Sequence, residues 1–181
     1  MKITETTLPG VNLLTAKIYR DSRGAFCETF NQRQIEEAGL PSLWVQDNFS
    51  ISAKNVLRGI HYQINQPQGK LVRVTHGAVL DVAVDLRRTS AHFGKHVAVE
   101  LRAETGDMLW IPPGFGHAFL ALTEQAGFAY KVTDYYSPAG ERTLLWNDPE
   151  IAIPWPISAS DVIVSDKDRA GAPLQNAEDF P

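Results

Sequence analysis

Gly106-Asp107-Met108-Leu109-Trp110-Ile111-Pro112-Pro113-Gly114-Phe115-Gly116-His117 is the stretch whose reading decides the fold. Met108–Ile111 is an apolar run of strand length, and the Pro-Pro-Gly after it stops the strand and turns the chain. His117 then opens a second apolar run, 118–123. Val56-Leu57-Arg58-Gly59-Ile60-His61-Tyr62-Gln63 has the same character. It sets an imidazole, a guanidinium and a carboxamide among side chains that a strand normally hides. Such polar groups are either satisfied in the core or form the wall of a polar pocket.

Working outward, the chain reads as many short strands separated by turn signals, the pattern of an all-β sandwich or barrel. Strands are expected over 11–19, 25–30, 44–52, 56–63, 70–75, 78–86, 96–101, 108–111, 118–123 and 126–133. Asp21-Ser22-Arg23-Gly24, His76-Gly77 and Gln125-Ala126-Gly127 punctuate them. Asp81, Ala83 and Asp85 alternate with Val82, Val84 and Leu86, which predicts a half-exposed strand. One helix is expected, capped by Asn31 with Gln34 three residues on and closed by Gly39 and Pro41. From Tyr136 onward the proline- and tryptophan-bearing segments read as a packed, irregular arm. The residues after about Ala170 read as loosely held.

The 181 residues fit one domain, 1–181, large enough to bury roughly 70% of its unfolded surface. A net charge of −4, with acids and bases interspersed, argues against nucleic-acid or membrane surfaces as partners. The N-terminus carries no apolar run of the signal type, and nowhere does an apolar run approach the ~20 residues of a spanning helix. Cys27 is the single cysteine, which excludes an internal disulfide and makes a cytoplasmic location the expectation. No basic residue adjoins it, so it reads as a structural thiol. His76, His92 and His96 fall at turns or polar strand positions and read as surface residues. Arg73, Arg87 and Arg88 read as structural or solvated.

The spacing G-x5-P-x-G-x2-H in Gly106–His117 resembles the second motif of the cupin superfamily. That resemblance implies an all-β, cupin-like jelly-roll β-barrel, here with one short helix and the irregular C-terminal arm, and it turns His61 and His117 toward one cavity. Further segments narrow the match: 21–30, Gln46-Asp47-Asn48-Phe49-Ser50, 56–63, Gln68-Gly69-Lys70-Leu71-Val72-Arg73-Val74, 110–119, Tyr130, Trp146-Asn147-Asp148-Pro149 and Ser165-Asp166-Lys167-Asp168. Together they resemble the cupin-fold dTDP-4-dehydrorhamnose 3,5-epimerase family over 21–168. The family usually has Gly where Ala118 stands, and often reads Ala-Glu-Asn where Ala103-Glu104-Thr105 stands.

Most cupins hold a metal through three histidines and a glutamate. Here Gln63 stands where the second histidine is expected, no clear carboxylate fills the glutamate position, and Lys70 would repel a cation. Two imidazoles and an amide make a poor site, so neither metal nor cofactor is expected. The resemblance implies proton transfer beside the ketone of dTDP-4-dehydro-6-deoxy-D-glucose. Inversion at carbons 3 and 5 needs a base on one face, a donor on the other and a group to stabilise the enolate. His61 is the candidate base, because imidazole titrates near neutrality. By resemblance Asp168 orients it, Tyr130 is the proton donor with Tyr136 the nearby alternative, Lys70 faces the carbon-4 oxygen and His117 contacts the substrate.

Arg23 and Arg58 resemble the family's anion-binding arginines, suited to a diphosphate. Glu28, Gln46, Asp47 and Asn48 match substrate contacts, with Glu141 and Lys167 as further carry-overs. Strand alternation sets Arg58 and His61 on opposite faces unless Gly59 marks a bulge. The resemblance also implies a homodimer with exchanged N-terminal strands, in which Arg23 and Glu28 serve either their own or the partner's site. Alternatives to double epimerisation are a mono-epimerase or keto-isomerase of another dTDP-deoxysugar route. Readings of other kinds are a metal-dependent oxygenase, against which Gln63 and Lys70 speak, and a non-catalytic sugar-nucleotide-binding module.

Overall fold

The computed structural model describes residues 1–178 and 180. Its strands are β1 (Lys2–Glu5), β2 (Asn12–Thr15), β3 (Ile18–Asp21), β4 (Gly24–Cys27), β5 (Gln46–Ala53), β6 (Leu57–Gln63), β7 (Lys70–His76), β8 (Ala78–Asp85), β9 (His96–Arg102), β10 (Asp107–Ile111), β11 (Phe115–Ala121), β12 (Gln125–Val132) and β13 (Glu141–Thr143). Helix α1 spans Gln32–Glu37 and α2 spans Asp166–Arg169. Two antiparallel sheets, β1-β2-β10-β7-β12-β5 and β13-β6-β11-β8-β9, face one another, and β3–β4 forms a separate hairpin. This is the cupin-like jelly-roll arrangement that the motifs predict.

Alternation decides what the sheets enclose. Val72 and Val74 of β7, Leu109 and Ile111 of β10, and Ala126 and Phe128 of β12 turn inward. They meet Val79, Ala83, Val97, Leu101, Phe115 and Phe119 from the opposite sheet. The inward row of β5 is polar: Gln46, Asn48 and Ser50 line a cavity, and the next inward residue, Ser52, is buried. The apolar filling therefore gives way to a polar, open end.

A second apolar layer lies outside the β6–β11–β8 sheet. Val82, Val84, Leu86, Ile60 and Tyr62 pack there against Leu144, Ile151 and Leu174 of the C-terminal arm. This cover overturns the half-exposed reading of 81–86: both faces of β8 are buried, and Asp81 and Asp85 are 0% exposed. Asp85 is satisfied by Arg87 and Ser90, which gives Arg87 its structural role. The arm also corrects the loose-tail expectation for 171–178, while 179 and 181, on which the expectation also falls, lie outside the described residues. Leu174 is buried, its N–H donates to Asp148 Oδ2 (2.9 Å), and Ala172 bridges to Leu144. His96 is likewise not a free surface residue, because its Nδ1 lies 3.0 Å from the Ile151 carbonyl oxygen.

Asn31 Oδ1 accepts from the Gln34 N–H (3.2 Å), so the α1 cap forms as expected. Gln34 does not close the box back onto Asn31. Its side chain bonds Glu28 and the N-terminal amine instead. The expected strand over 11–19 is two strands, β2 and β3, broken where the Ala16 N–H bonds the Gly106 carbonyl. Lys2–Glu5, Glu141–Thr143 and Asp166–Arg169 escape the sequence reading because all are short and polar, with no apolar period to mark them.

Candidate active site

A cavity of about 670 Å³ opens at the polar end of the barrel. It is lined by Gln46, Asn48, Arg58, His61, Gln63, Lys70, His117, Tyr130, Glu141, Lys167 and Asp168, with Phe119 and Phe128 at its apolar boundary. His61 and Tyr130 come from β6 and β12, in opposite sheets, so they reach the cavity from facing walls.

Arg58 and His61 share the cavity because β6 is irregular between them. His61 pairs with His117 and Arg58 with Phe119, and the register shifts in between. Gly59 makes this possible. Its φ is +117°, and a Cβ there would lie 2.5 Å from the His117 carbonyl oxygen and 2.6 Å from the Ala118 Cβ. The methyl of Ala118, the departure from the family pattern, thus packs against the bare face of Gly59.

His61 Nε2 lies 2.5 Å from Asp168 Oδ1. The second oxygen, Oδ2, takes the Gly59 N–H at 3.4 Å, and the Asp168 N–H is held by the Ser165 Oγ that caps α2 (3.1 Å). Burial works to raise the Asp168 carboxyl, but the hydrogen bond and charge of His61 outweigh it and hold the carboxyl below its usual range. Asp168 therefore stays ionised at neutral pH beside the imidazole.

A second histidine–carboxylate pair lies deeper. His117 Nε2 is 2.9 Å from Asp81 Oδ2, and the other carboxylate oxygen has no hydrogen-bond partner among the described residues. Burial pushes His117 down despite the attraction of Asp81, which keeps it neutral near pH 7. Lys70 donates to the His61 carbonyl (3.3 Å), and burial lowers it to about 8, with Asp81 and Glu141 opposing. Burial raises the Tyr130 phenol, Glu141 raises it further and Arg58 works against both, so Tyr130 carries its proton at neutral pH. At the mouth, Glu141 accepts from Tyr136 (3.0 Å) and meets Lys167 at 2.5 Å.

Three of the expected contact residues do not reach this cavity within the chain. Arg23 lies in the β3–β4 hairpin, its side chain 88% exposed and paired with Asp21. Glu28 is exposed and accepts from Gln34. Asp47 alternates to the outer face of β5, away from Gln46 and Asn48, and pairs with Lys131 (2.9 Å). Asp81 was missed by the sequence reading. The signal was present: Ala78-Val79-Leu80-Asp81-Val82-Ala83-Val84 is nearly continuous in apolar residues, as in a strand buried on both faces.

The donor set does not suit a divalent metal of the cupin kind. Each cavity histidine directs one ring nitrogen at a carboxylate, the Gln63 amide is engaged elsewhere, and the Lys70 ammonium stands beside them.

Comparison with known proteins gives the family. The family model described as dTDP-4-dehydrorhamnose 3,5-epimerase matches residues 5–176. The enzyme of that name from Pseudomonas aeruginosa is 51% identical over 182 residues, covering 100% of both chains. The crystal structure of dTDP-6-deoxy-D-glucose-3,5-epimerase from Legionella pneumophila, in complex with dTDP-4-keto-L-rhamnose, is 46% identical. It superposes with a TM-score of 0.94, covering 98% of this chain and 94% of that one. A 3'-monoepimerase from Streptomyces bikiniensis, in complex with dTDP-quinovose, shares the fold at 33% identity and TM-score 0.88, covering 94% of this chain and 86% of that one. With a matched family model and whole-chain relatives at half identity, this chain belongs to the dTDP-4-dehydrorhamnose 3,5-epimerase family.

Proposed function

We propose that the chain epimerises carbons 3 and 5 of dTDP-4-dehydro-6-deoxy-D-glucose, giving dTDP-4-dehydro-L-rhamnose. The observation that carries this is the His61–Asp168 pair facing Tyr130 across one cavity, with Lys70 between the sheets. His61 removes the proton next to the ketone. The electron pair moves onto the carbon-4 oxygen, where the Lys70 ammonium stabilises the enolate. As the enolate collapses, its carbon takes the phenol proton of Tyr130 from the opposite face. The imidazolium then loses its proton to solvent and the phenolate regains one. The sequence repeats at the second carbon. Arg58, Gln46 and Asn48 stand at the cavity wall where the nucleotide diphosphate would enter.

The same reading assigns Arg23 and Glu28 to the site of a second copy. The β3–β4 hairpin exposes Tyr19 (54%) and Phe26 (69%), and the edge strand β5 exposes Phe49 (62%) and Ile51 (56%). An unpaired edge and an apolar hairpin on one chain suit a homodimer that exchanges them. Among the described residues no helix is long and apolar enough to cross a membrane. The free thiol of Cys27 fits action in a reducing cytoplasm.

The test is incubation with dTDP-4-dehydro-6-deoxy-D-glucose in heavy water, with both ring positions followed by NMR. Enzyme-dependent deuterium at carbons 3 and 5 is expected. Label at one carbon assigns a mono-epimerase, and label at neither overturns the reading.

A further inference from the structure

Gln63 is a buried polar side chain that the proposed chemistry leaves unused. It follows His61 by two residues on β6, projects with it into the barrel and is 5% exposed. Its amide is heavily engaged. Nε2 donates to the carbonyls of Gln66 (2.8 Å) and Tyr135 (3.2 Å), and Oε1 accepts from the Ser137 N–H (3.0 Å). Both amide hydrogens are thereby used.

These bonds hold the connection between β12 and β13. Gln46, Gln66 and Gln68 also hold it, at the Tyr136 N–H and at Asp134, but of the four glutamines Gln63 alone is buried. The held segment presents Tyr136 to Glu141, Glu141 holds Lys167, and Lys167 adjoins Asp168 on α2. A closed chain of contacts therefore runs from Gln63 through the cavity rim to Asp168 and back to His61.

We propose that Gln63 is a positioning residue: by stapling 135–137 it sets the Tyr136–Glu141–Lys167 wall that seats the 4-keto ring between His61 and Tyr130. The kinetic half of this rests on the epimerase reading, and the structural half does not. Releasing the staple lets the wall move, which tilts the ring relative to base and donor. Tilt affects carbons 3 and 5 unequally, whereas a smaller folded fraction slows both alike.

Gln63→Met keeps length and volume and removes all three bonds. Gln63→Leu, slightly smaller, also removes all three and serves if the first variant does not fold. The Ser137 amide of the variant is expected to exchange with solvent about tenfold faster, with the Kd for dTDP within about twofold of wild type. The ratio of deuterium incorporation at carbons 3 and 5 should shift by about threefold, Tyr136→Phe should shift it the same way, and the double variant should lose less than about twofold more than the worse single one. An unchanged ratio, unchanged Ser137 exchange, or losses that multiply overturn the proposal. A wild-type chain that labels neither carbon overturns the epimerase reading, and the kinetic role with it. Faster Ser137 exchange in the variant would then still establish the staple.

Discussion

His61 Nε2 and Asp168 Oδ1, 107 residues apart in sequence, meet at 2.5 Å. The carboxylate is fixed from three sides, by the imidazole, by the Gly59 N–H and through the Ser165 cap on its own backbone. With Nε2 so engaged, the proposed mechanism uses Nδ1, and the ionised Asp168 favours the tautomer that carries its proton on Nε2. The dyad exists only because the C-terminal arm folds back over the β6–β11–β8 sheet.

Asp168→Asn should therefore lower kcat by about 10²–10⁴ while leaving the Kd for dTDP within about threefold, because an amide can orient the ring wrongly and cannot stabilise an imidazolium. His61→Ala should abolish turnover and leave dTDP binding largely intact. Steady-state kinetics with calorimetric titration of dTDP checks both. Loss of dTDP affinity with retained turnover would remove His61 from the chemistry.

The fold was legible where periodicity and turn chemistry agree. Nine of the ten strand segments, the Asn31 cap and the turn at Pro112-Pro113-Gly114 could be read from residue type, whereas 11–19 divides into β2 and β3. What escaped reading depended on long-range cover. Asp81 and Asp85 look solvent-facing until the arm from Leu144 to Leu174 is known to lie over the opposite face of β8. Asp168 reads as part of an exposed charge run, and only tertiary contact makes it 3% exposed. Motif resemblance supplied it where local pattern could not. Resemblance also proposed Asp47, whose outward position follows from strict alternation with Gln46 and Asn48, so there the simpler rule was the better guide.

Lys70 gives activity and stability opposite responses to pH. Burial lowers its ammonium from 10.5 to about 8. In the proposed mechanism the charged form stabilises the enolate, so kcat should fall as pH rises through about 8, approaching tenfold per unit. In the unfolded chain the group stays protonated to about 10.4, so the unfolded state binds more protons between about pH 8 and 10. The penalty for burying the charge is present below that window and is relieved across it, so Lys70 contributes rising stability there. Rate profiles and melting temperatures over about pH 7–10 test this, with Lys70→Met expected to flatten the stability rise. A rate that holds level to pH 10 would exclude the ammonium from the reaction.

Leu174 tests the arm. It is 6% exposed and packs into the outer layer with Val84, Leu86 and Ile151. Leu174→Ala should cost about 2–4 kcal/mol through lost burial and the cavity left behind. At this chain length each kcal/mol lowers Tm by about 2–4 °C, which calorimetry resolves. Because the arm carries Asp168, the variant should also lose activity near its melting range before bulk unfolding. An unchanged Tm would return the residues after 170 to a tail that adds nothing to the fold.

Arg23 decides whether two copies build one site. Among the described residues its guanidinium pairs with Asp21 alone, and it lies outside the cavity whose anionic substrate it would hold. If the exchanged hairpin carries it into the partner's site, Arg23→Ala and His61→Ala homodimers each have two defective sites. A mixed dimer has one site with both defects and one with neither. Co-refolding the two variants in equal amounts produces half mixed dimers by random pairing, and half of their sites are intact, so activity should recover to about a quarter of wild type. If Arg23 instead serves its own chain, each site keeps its single defect and mixing recovers nothing. The assay needs only the two inactive proteins and the substrate, and the recovered fraction gives the geometry directly.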